Sequence, residues 1–193
     1  MNKVSKATRT RYVFTALFAA MIAVSSFFIV PLPGIPIPIV LKNMFILLSG
    51  TILGSFYGGV SVLIFILAGI IGLPVFVIPG GFAVFTTPLG GYIIGYFLAS
   101  LTAGLICGLP KISEKKINPV FLIRLIIASL LGFLIILFCG VFFMMFLNSM
   151  TFSAAMTAGF LPFIIGDLIK FVISIPLAAQ LRPIAARYLN PGD

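Results

Sequence analysis

The chain has 193 residues, of which 62% are hydrophobic and 8% are charged, and it carries a net charge of +9 without any histidine. Soluble domains contain about 25% charged residues, so this composition excludes an ordinary soluble domain and indicates an integral membrane protein. The lack of histidine also excludes histidine-based zinc sites, Ser-His-Asp triads and histidine proton relays.

Six apolar segments predict an all-α integral membrane protein, a bundle of six transmembrane helices in one domain covering residues 1–193. The segments lie approximately at 12–30, 42–57, 59–73, 88–108, 120–147 and 160–179. The first segment follows four cations and could be read as a secretory signal, but the five segments after it favour a retained span. The second and third are short for a bilayer crossing of about 20 residues.

The distribution of charge predicts the orientation of these spans. Basic residues precede span 1, follow span 6 and lie between spans 4 and 5, whereas 31–41, 74–87 and 148–159 carry no charge. Cytoplasmic N- and C-termini therefore place every basic stretch inside, so the net charge needs no nucleic-acid partner. The segment 31–38 has four prolines in eight residues, and we expect it and the apolar loop 74–87 to cover an outward-facing pocket.

Small residues recur at every fourth position, which is typical of close contact between transmembrane helices. Ala16 and Ala20 form such a pair on span 1. This face either packs inside the bundle or docks a partner subunit, and the packing interpretation is the commoner one.

Few polar residues fall at membrane depth, and they define the candidate ligand-binding groups. Asp167 is the one carboxylate inside an apolar segment, and Lys170 follows at i+3 on the same helix face. Lys42 and Asn43 lie at the outer start of span 2. Asp167, Lys170 and Lys42 sum to +1, which one ligand carboxylate would neutralise. The alternatives are a structural Asp167–Lys170 pair that pins two helices, and a Lys42 that snorkels to the interface.

Span 4 and the loop before it offer further candidates for a ligand site. Tyr92 lies inside the span, and Gly91 beside it leaves room for a flat ligand. Gly81 belongs to the loop above, and Phe85 is a candidate apolar wall. The sequence contains neither a Gly-x-x-x-x-Gly-Lys-Ser/Thr phosphate loop nor a chain of intramembrane acids. These features predict a binding subunit that is powered by a partner.

Several short motifs occur in a specific order and spacing. They are Ala-Leu-Phe-Ala-Ala at 16–20, Pro-Leu-Pro-Gly-x-Pro-x-Pro at 31–38, Leu-Lys-Asn-Met at 41–44, Ile-Gly-Leu-Pro-Val-Phe at 71–76, Gly-Gly-Phe-Ala-Val-Phe at 80–85, Pro-Leu-Gly-Gly-Tyr at 88–92 and Phe-Ile-Ile-Gly-Asp-Leu-Ile-Lys at 163–170. Together they resemble the BioY-type biotin-binding S-components of energy-coupling factor (ECF) transporters, and the resemblance covers nearly the whole chain.

The resemblance implies a subunit of the bacterial plasma membrane that captures biotin at an outer-facing pocket and needs no cofactor. A transmembrane scaffold (T) subunit and two ABC-type ATPases would drive release into the cytoplasm, with Ala16 and Ala20 matching the docking surface. The pocket residues of the family would fall on the residues Asn43, Tyr92, Asp167 and Lys170. The chain departs from the family pattern at Lys42, where many relatives have Gln, and at Leu89, where they have Thr.

Three other functions are weighed against biotin capture. One is an S-component for another small vitamin, such as thiamine or lipoate. Another is a secondary carrier that works without partners. An intramembrane enzyme is disfavoured, because acid–base catalysis generally needs two placed groups and the spans contain a single carboxylate.

Overall fold

The computed structural model describes residues 3–30, 39–76, 81–115 and 118–189. The helices in this part of the chain are α1 (Lys3–Ser25), α2 (Lys42–Ile70), α3 (Leu89–Cys107), α4 (Pro119–Asn148), α5 (Phe152–Gly159) and α6 (Ile164–Leu189). The other described elements are 3-10 helices at Phe82–Thr86, Ile112–Lys115 and Leu161–Phe163 and two short strands, β1 (Ile29–Val30) and β2 (Ile39–Val40).

Within the described residues, four helical stretches are long and apolar enough to cross a membrane by length and composition. They are Lys42–Ile70, Leu89–Cys107, Pro119–Asn148 and Phe152–Leu189, the last combining α5 and α6. The helix α1 is not among them, and its first nine residues carry four cations. The predicted class, an all-α multi-pass membrane protein, is confirmed, whereas the count of six spans and their orientation remain predictions.

The long helix α2 folds back on itself at Gly54, whose backbone has φ 79° and ψ 175°. Ser49 Oγ donates to the carbonyl of Gly58 at 3.5 Å, and a Cβ on Gly58 would collide with the backbone of Gly50. In a straight helix, residues eight apart would be separated by about 12 Å. The two halves of α2 are therefore antiparallel, which explains the two short apolar segments, although the turn lies at Gly54 rather than near Gly58.

The two antiparallel halves of α2 pack closely against α3 because small residues line the contact. A Cβ on Gly50 would overlap the backbone of Ser100, and one on Gly104 would overlap the backbone of Ser55. The hydroxyls of Ser49 and Ser100 are 3.1 Å apart in this interface. The small-residue spacing of the sequence thus corresponds to close helix contacts in α2 and α3.

A buried arginine links several elements at the end of the bundle where α3 ends. Arg182 is 0% exposed and donates to both carboxylate oxygens of Glu114, at 2.8 and 2.9 Å. It also donates to the carbonyl of Cys107 at 3.0 Å and to that of Thr51. The α6 helix is thereby joined to the α3–α4 connection and to α2, and it runs on to Leu189, beyond the predicted end of span 6 at residue 179.

The opposite end of the bundle carries the two uncharged loops. The lid predicted at 31–38 lies outside the described residues, but β1 and β2 pair antiparallel on either side of it, with Val30 opposite Ile39. Residues 77–80 of the second loop also lie outside the described part. Gly81, with φ 102°, donates its N–H to the carbonyl of Gly69 at 2.7 Å and leads into the 3-10 helix Phe82–Thr86.

Candidate ligand-binding site

A partly enclosed cavity of about 260 Å³ lies at the end of the bundle next to the uncharged loops. Its walls come from β2, α2, α3, α4, α6 and the segments that lead into α3 and α6. The lining residues are Val40, Lys42, Asn43, Phe76, Val84, Leu89, Tyr92, Ile93, Tyr96, Leu137, Pro162, Phe163, Gly166 and Lys170. A mostly apolar wall with a few convergent polar groups is typical of small-molecule sites.

The ion pair of α6 borders this cavity. Asp167 and Lys170 are each 4% exposed and pair with one another one helical turn apart. Apart from this pair, both carboxylate oxygens are buried and accept no hydrogen bond from the described residues. The Asn43 side chain lies beside the carboxylate and interacts with it. Asp167 therefore keeps acceptor capacity for a ligand, and its place in the first turn of α6 favours the negative charge.

Lys170 also reaches across to the strand β2. Its Nζ lies 3.4 Å from the carbonyl oxygen of Val40, to which it donates. One lysine thus contacts α6, β2 and the cavity.

Lys42 is the second lysine of the cavity, and it is 7% exposed. Its Nζ lies over two aromatic rings, 5.0 Å from the centroid of Tyr96 and 5.9 Å from that of Phe65. The ammonium group takes part in neither of the ion pairs found in the described part of the chain. Lys42 points inward and does not snorkel to the interface.

Two tyrosines one turn apart on α3 differ in how their hydroxyls are used. The Tyr92 hydroxyl donates to the carbonyl of Gly159 at 2.6 Å, so it joins α3 to the end of α5, while its ring lines the cavity. Tyr96 is 6% exposed and also lines the cavity, and its hydroxyl makes no hydrogen bond within the described residues. Of these two tyrosines, Tyr96 is the one whose hydroxyl has no hydrogen-bond partner in the described residues, whereas the sequence predicts Tyr92 as the site residue.

The cavity brings together most of the polar residues that the sequence proposed. Lys42, Asn43, Tyr92 and Lys170 all line it, and Asp167 is joined to it through Lys170. These residues come from three helices and are more than 120 residues apart at the extremes, so the fold brings together groups that are distant in the sequence.

Besides Asp167, three predicted site residues lie outside the cavity lining. A Cβ on Gly91 would meet Phe143 and the carbonyl of Cys139, so the space beside this glycine is taken by α4 and not by a ligand. Gly81 serves the turn before the 3-10 helix. Phe85 is half-buried, and its neighbour Val84, 1% exposed, faces the cavity in its place.

The lining residues that sequence reasoning missed are mainly apolar. They include Phe76, Val84, Ile93, Leu137, Pro162 and Phe163. Any apolar residue of a membrane chain has a packing role by default, so no local pattern distinguishes these from the core. Tyr96 is the exception, because it lies one turn from Tyr92 and the sequence marks both as phenols that require a hydrogen-bond partner when buried.

The predicted partner-docking residues Ala16 and Ala20 are both exposed on α1. Between them Ala19 is 5% exposed and packs into the bundle. The small-residue face of α1 therefore points outward, as a docking surface requires, and its role in binding a partner stays a prediction.

Long apolar helices around a cavity with buried lysines define a multi-pass helical membrane protein with a candidate small-molecule site. The model of the BioY family matches residues 1–187, and the chain belongs to this family.

Similar proteins include the biotin transporter BioY of Thermotoga maritima, 34% identical over 86% of this chain and 92% of the relative. The biotin transporter BioY of Lactococcus lactis is 33% identical, over 88% of each chain. The crystal structure of the S-component for biotin from an ECF-type ABC transporter superposes with a TM-score of 0.74 at 30% identity, covering 94% of both chains.

Proposed function

We propose that this chain is the high-affinity biotin-binding S-component of an ECF-type vitamin transporter. The observation that carries this proposal is the cavity itself, where Lys42, Asn43 and Lys170 converge in an otherwise apolar wall beside the buried Asp167. The relatives and the solved structure named above are biotin proteins, and they agree with this choice. The subunit is a transporter component and not an enzyme.

The polar groups suit the two ends of biotin. The ureido N–H groups donate to the carboxylate of Asp167, whose oxygens, apart from the ion pair with Lys170, accept no hydrogen bond from the described residues. Asn43 pairs with the same ring, and the Tyr92 ring packs on the bicycle. The valerate carboxylate pairs with a buried lysine, Lys42 or Lys170. Such charge-assisted hydrogen bonds are strong where water is excluded.

The proposed orientation has six spans with both termini in the cytoplasm: α1, the two halves of α2, α3, α4 and α6. Arg11 donates to the carbonyl of Leu189 at 2.8 Å, so the start of α1 and the end of α6 share one end of the bundle. That end also holds Arg182 and Glu114, whereas the cavity end is flanked by the uncharged loops. The positive-inside rule then turns the cavity to the outside of the cell.

Transport requires partners in this proposal. The sequence has no phosphate-binding loop of its own, so a T subunit and two ABC-type ATPases supply the energy for release into the cell. The exposed Ala16 and Ala20 face of α1 docks the T subunit in the membrane. The subunit resides in the bacterial plasma membrane and uses no cofactor.

Uptake of radiolabelled biotin tests this assignment. Cells that lack their own biotin uptake receive the chain alone, or the chain with the T subunit and ATPases, and a matched set carries inactive ATPases. We expect rapid accumulation only with the active ATPases. Equal accumulation with inactive ATPases would show a secondary carrier, and accumulation of thiamine or lipoate in place of biotin would show a different vitamin.

A further inference from the structure

The two buried lysines of the cavity differ in how their charge is balanced. Lys170 pairs with Asp167 and donates to the carbonyl of Val40. Lys42 has neither an anionic partner nor a hydrogen bond in the described part of the chain, although it is 7% exposed. A buried charge without a partner is costly, and within the described residues the cavity holds one positive charge that no anion offsets.

The surroundings of Lys42 fix its position without neutralising it. The rings of Phe65 and Tyr96 hold the ammonium group by cation–π contacts, 5.9 and 5.0 Å from their centroids. Lys42 is also the first residue of α2, whose N-terminus has no side-chain cap. The positive end of the helix dipole adds to the charge of the lysine at this point. An anionic group of a ligand would offset both.

We propose that Lys42 binds the carboxylate of the ligand and makes the site selective for ligands with a free acid group. This inference rests on the proposed function and identifies the residue that recognises the carboxylate of the ligand. The hydroxyl of Tyr96, which lines the same cavity without a partner in the described residues, is available as a second donor.

Lys170 is the weaker candidate for this role because its charge is already balanced by Asp167. Removing it would leave the Asp167 carboxylate buried without its cation, which would disturb the site for every ligand. Removing the charge of Lys42 leaves no anionic group in the described residues without its cation. Substitution of Lys170 should therefore weaken the binding of ligands with and without the acid group. Substitution of Lys42 should weaken only the binding of ligands that carry it.

The test compares biotin with biotin methyl ester, which keeps the ureido ring and loses the negative charge. Equilibrium binding is measured on the full-length, detergent-solubilised protein, on Lys42→Gln and Lys42→Met, and on Lys111→Gln as a control at an exposed lysine. We expect the wild-type protein to bind biotin about tenfold to a hundredfold more tightly than the ester, from the strength of hydrogen bonds to charged groups. Both Lys42 variants should lose this preference because their affinity for biotin falls while their affinity for the ester is unchanged. Lys111→Gln should keep the preference.

The outcomes separate this inference from the function on which it rests. If the wild-type protein binds biotin and the ester equally, Lys42 does not recognise the carboxylate. The proposed biotin-binding function is unaffected by that result. The same conclusion follows if the Lys42 variants weaken both ligands to the same extent. Binding of neither ligand by folded wild-type protein would overturn the proposed function as well. The wild-type ratio needs no variant, so it tests the inference even if a substitution impairs folding.

Discussion

The ammonium group of Lys170 and the carboxylate of Asp167 form an ion pair one turn apart on α6, and both residues are 4% exposed. Pairs of this kind contribute little net stability, because the loss of hydration offsets the attraction between the charges. Apart from this pair, the carboxylate oxygens accept no hydrogen bond from the described residues, which fits the ligand-binding role proposed above.

Replacement of Asp167 by Asn should weaken biotin binding by about tenfold or more, because the ureido group loses a charged acceptor. Isothermal titration of the solubilised variant measures the change, and circular dichroism checks that the helices are retained. The double variant Asp167→Asn with Lys170→Met removes both charges and is the matched control. Wild-type affinity in the double variant would show that the pair has only a structural role.

The two tyrosines of α3 give a matched comparison of stability and binding. Tyr92→Phe removes the hydrogen bond to the carbonyl of Gly159, so we expect a loss of about 1 kcal/mol in the free energy of unfolding and a dissociation constant for biotin within about twofold of wild type. Tyr96→Phe removes a hydroxyl that has no partner in the described part of the chain, so its stability should be nearly unchanged and its affinity severalfold lower. Thermal unfolding and titration of both variants measure these effects. The reverse pattern would contradict the assignment.

Arg182 should be essential for the fold and dispensable for the cavity. Its replacement by Met strands Glu114 and several carbonyls, and removal of one member of a buried pair costs about 3–5 kcal/mol. We expect a large fall in unfolding temperature, with the remaining folded fraction binding biotin normally. Arg187→Gln, at an exposed position of the same helix, is the control. An unchanged unfolding temperature would contradict this prediction.

Bulky residues on the outward face of α1 should separate binding from transport. Ala16→Trp and Ala20→Trp place a large side chain on an exposed surface, so the cavity and the affinity for biotin should be unaffected. Uptake with the T subunit and ATPases should fall by an order of magnitude or more, because docking of α1 requires a close approach. Ile127→Trp, at an exposed position on α4, is expected to leave uptake intact. Normal uptake in the α1 variants would place the docking surface elsewhere.

The sequence predicted the membrane class and the main polar groups of the cavity, because charge is rare and costly at membrane depth. Lys42, Asn43 and Lys170 stand out for that reason, and each of them lines the cavity. The apolar walls could not be predicted, since nothing local decides that Val84 lines the cavity and Phe85 does not.

Long-range contacts were the other part that sequence reasoning could not reach. The spacing of glycines predicted close packing, but only the structure shows that Gly91 lies against α4. Arg182 appeared as one more cytoplasmic charge, yet it is fully buried against Glu114, 68 residues away in the chain. Such pairings depend on the assembled bundle and leave no periodic signal.

The central claim, that the cavity captures biotin, is tested most directly by calorimetric titration of the purified wild-type protein with biotin at two temperatures. Thiamine serves as the control ligand, and two temperatures guard against a binding enthalpy near zero. The account predicts submicromolar binding of about one biotin per chain and no binding of thiamine. Folded protein that gives no heat with biotin at either temperature would contradict it.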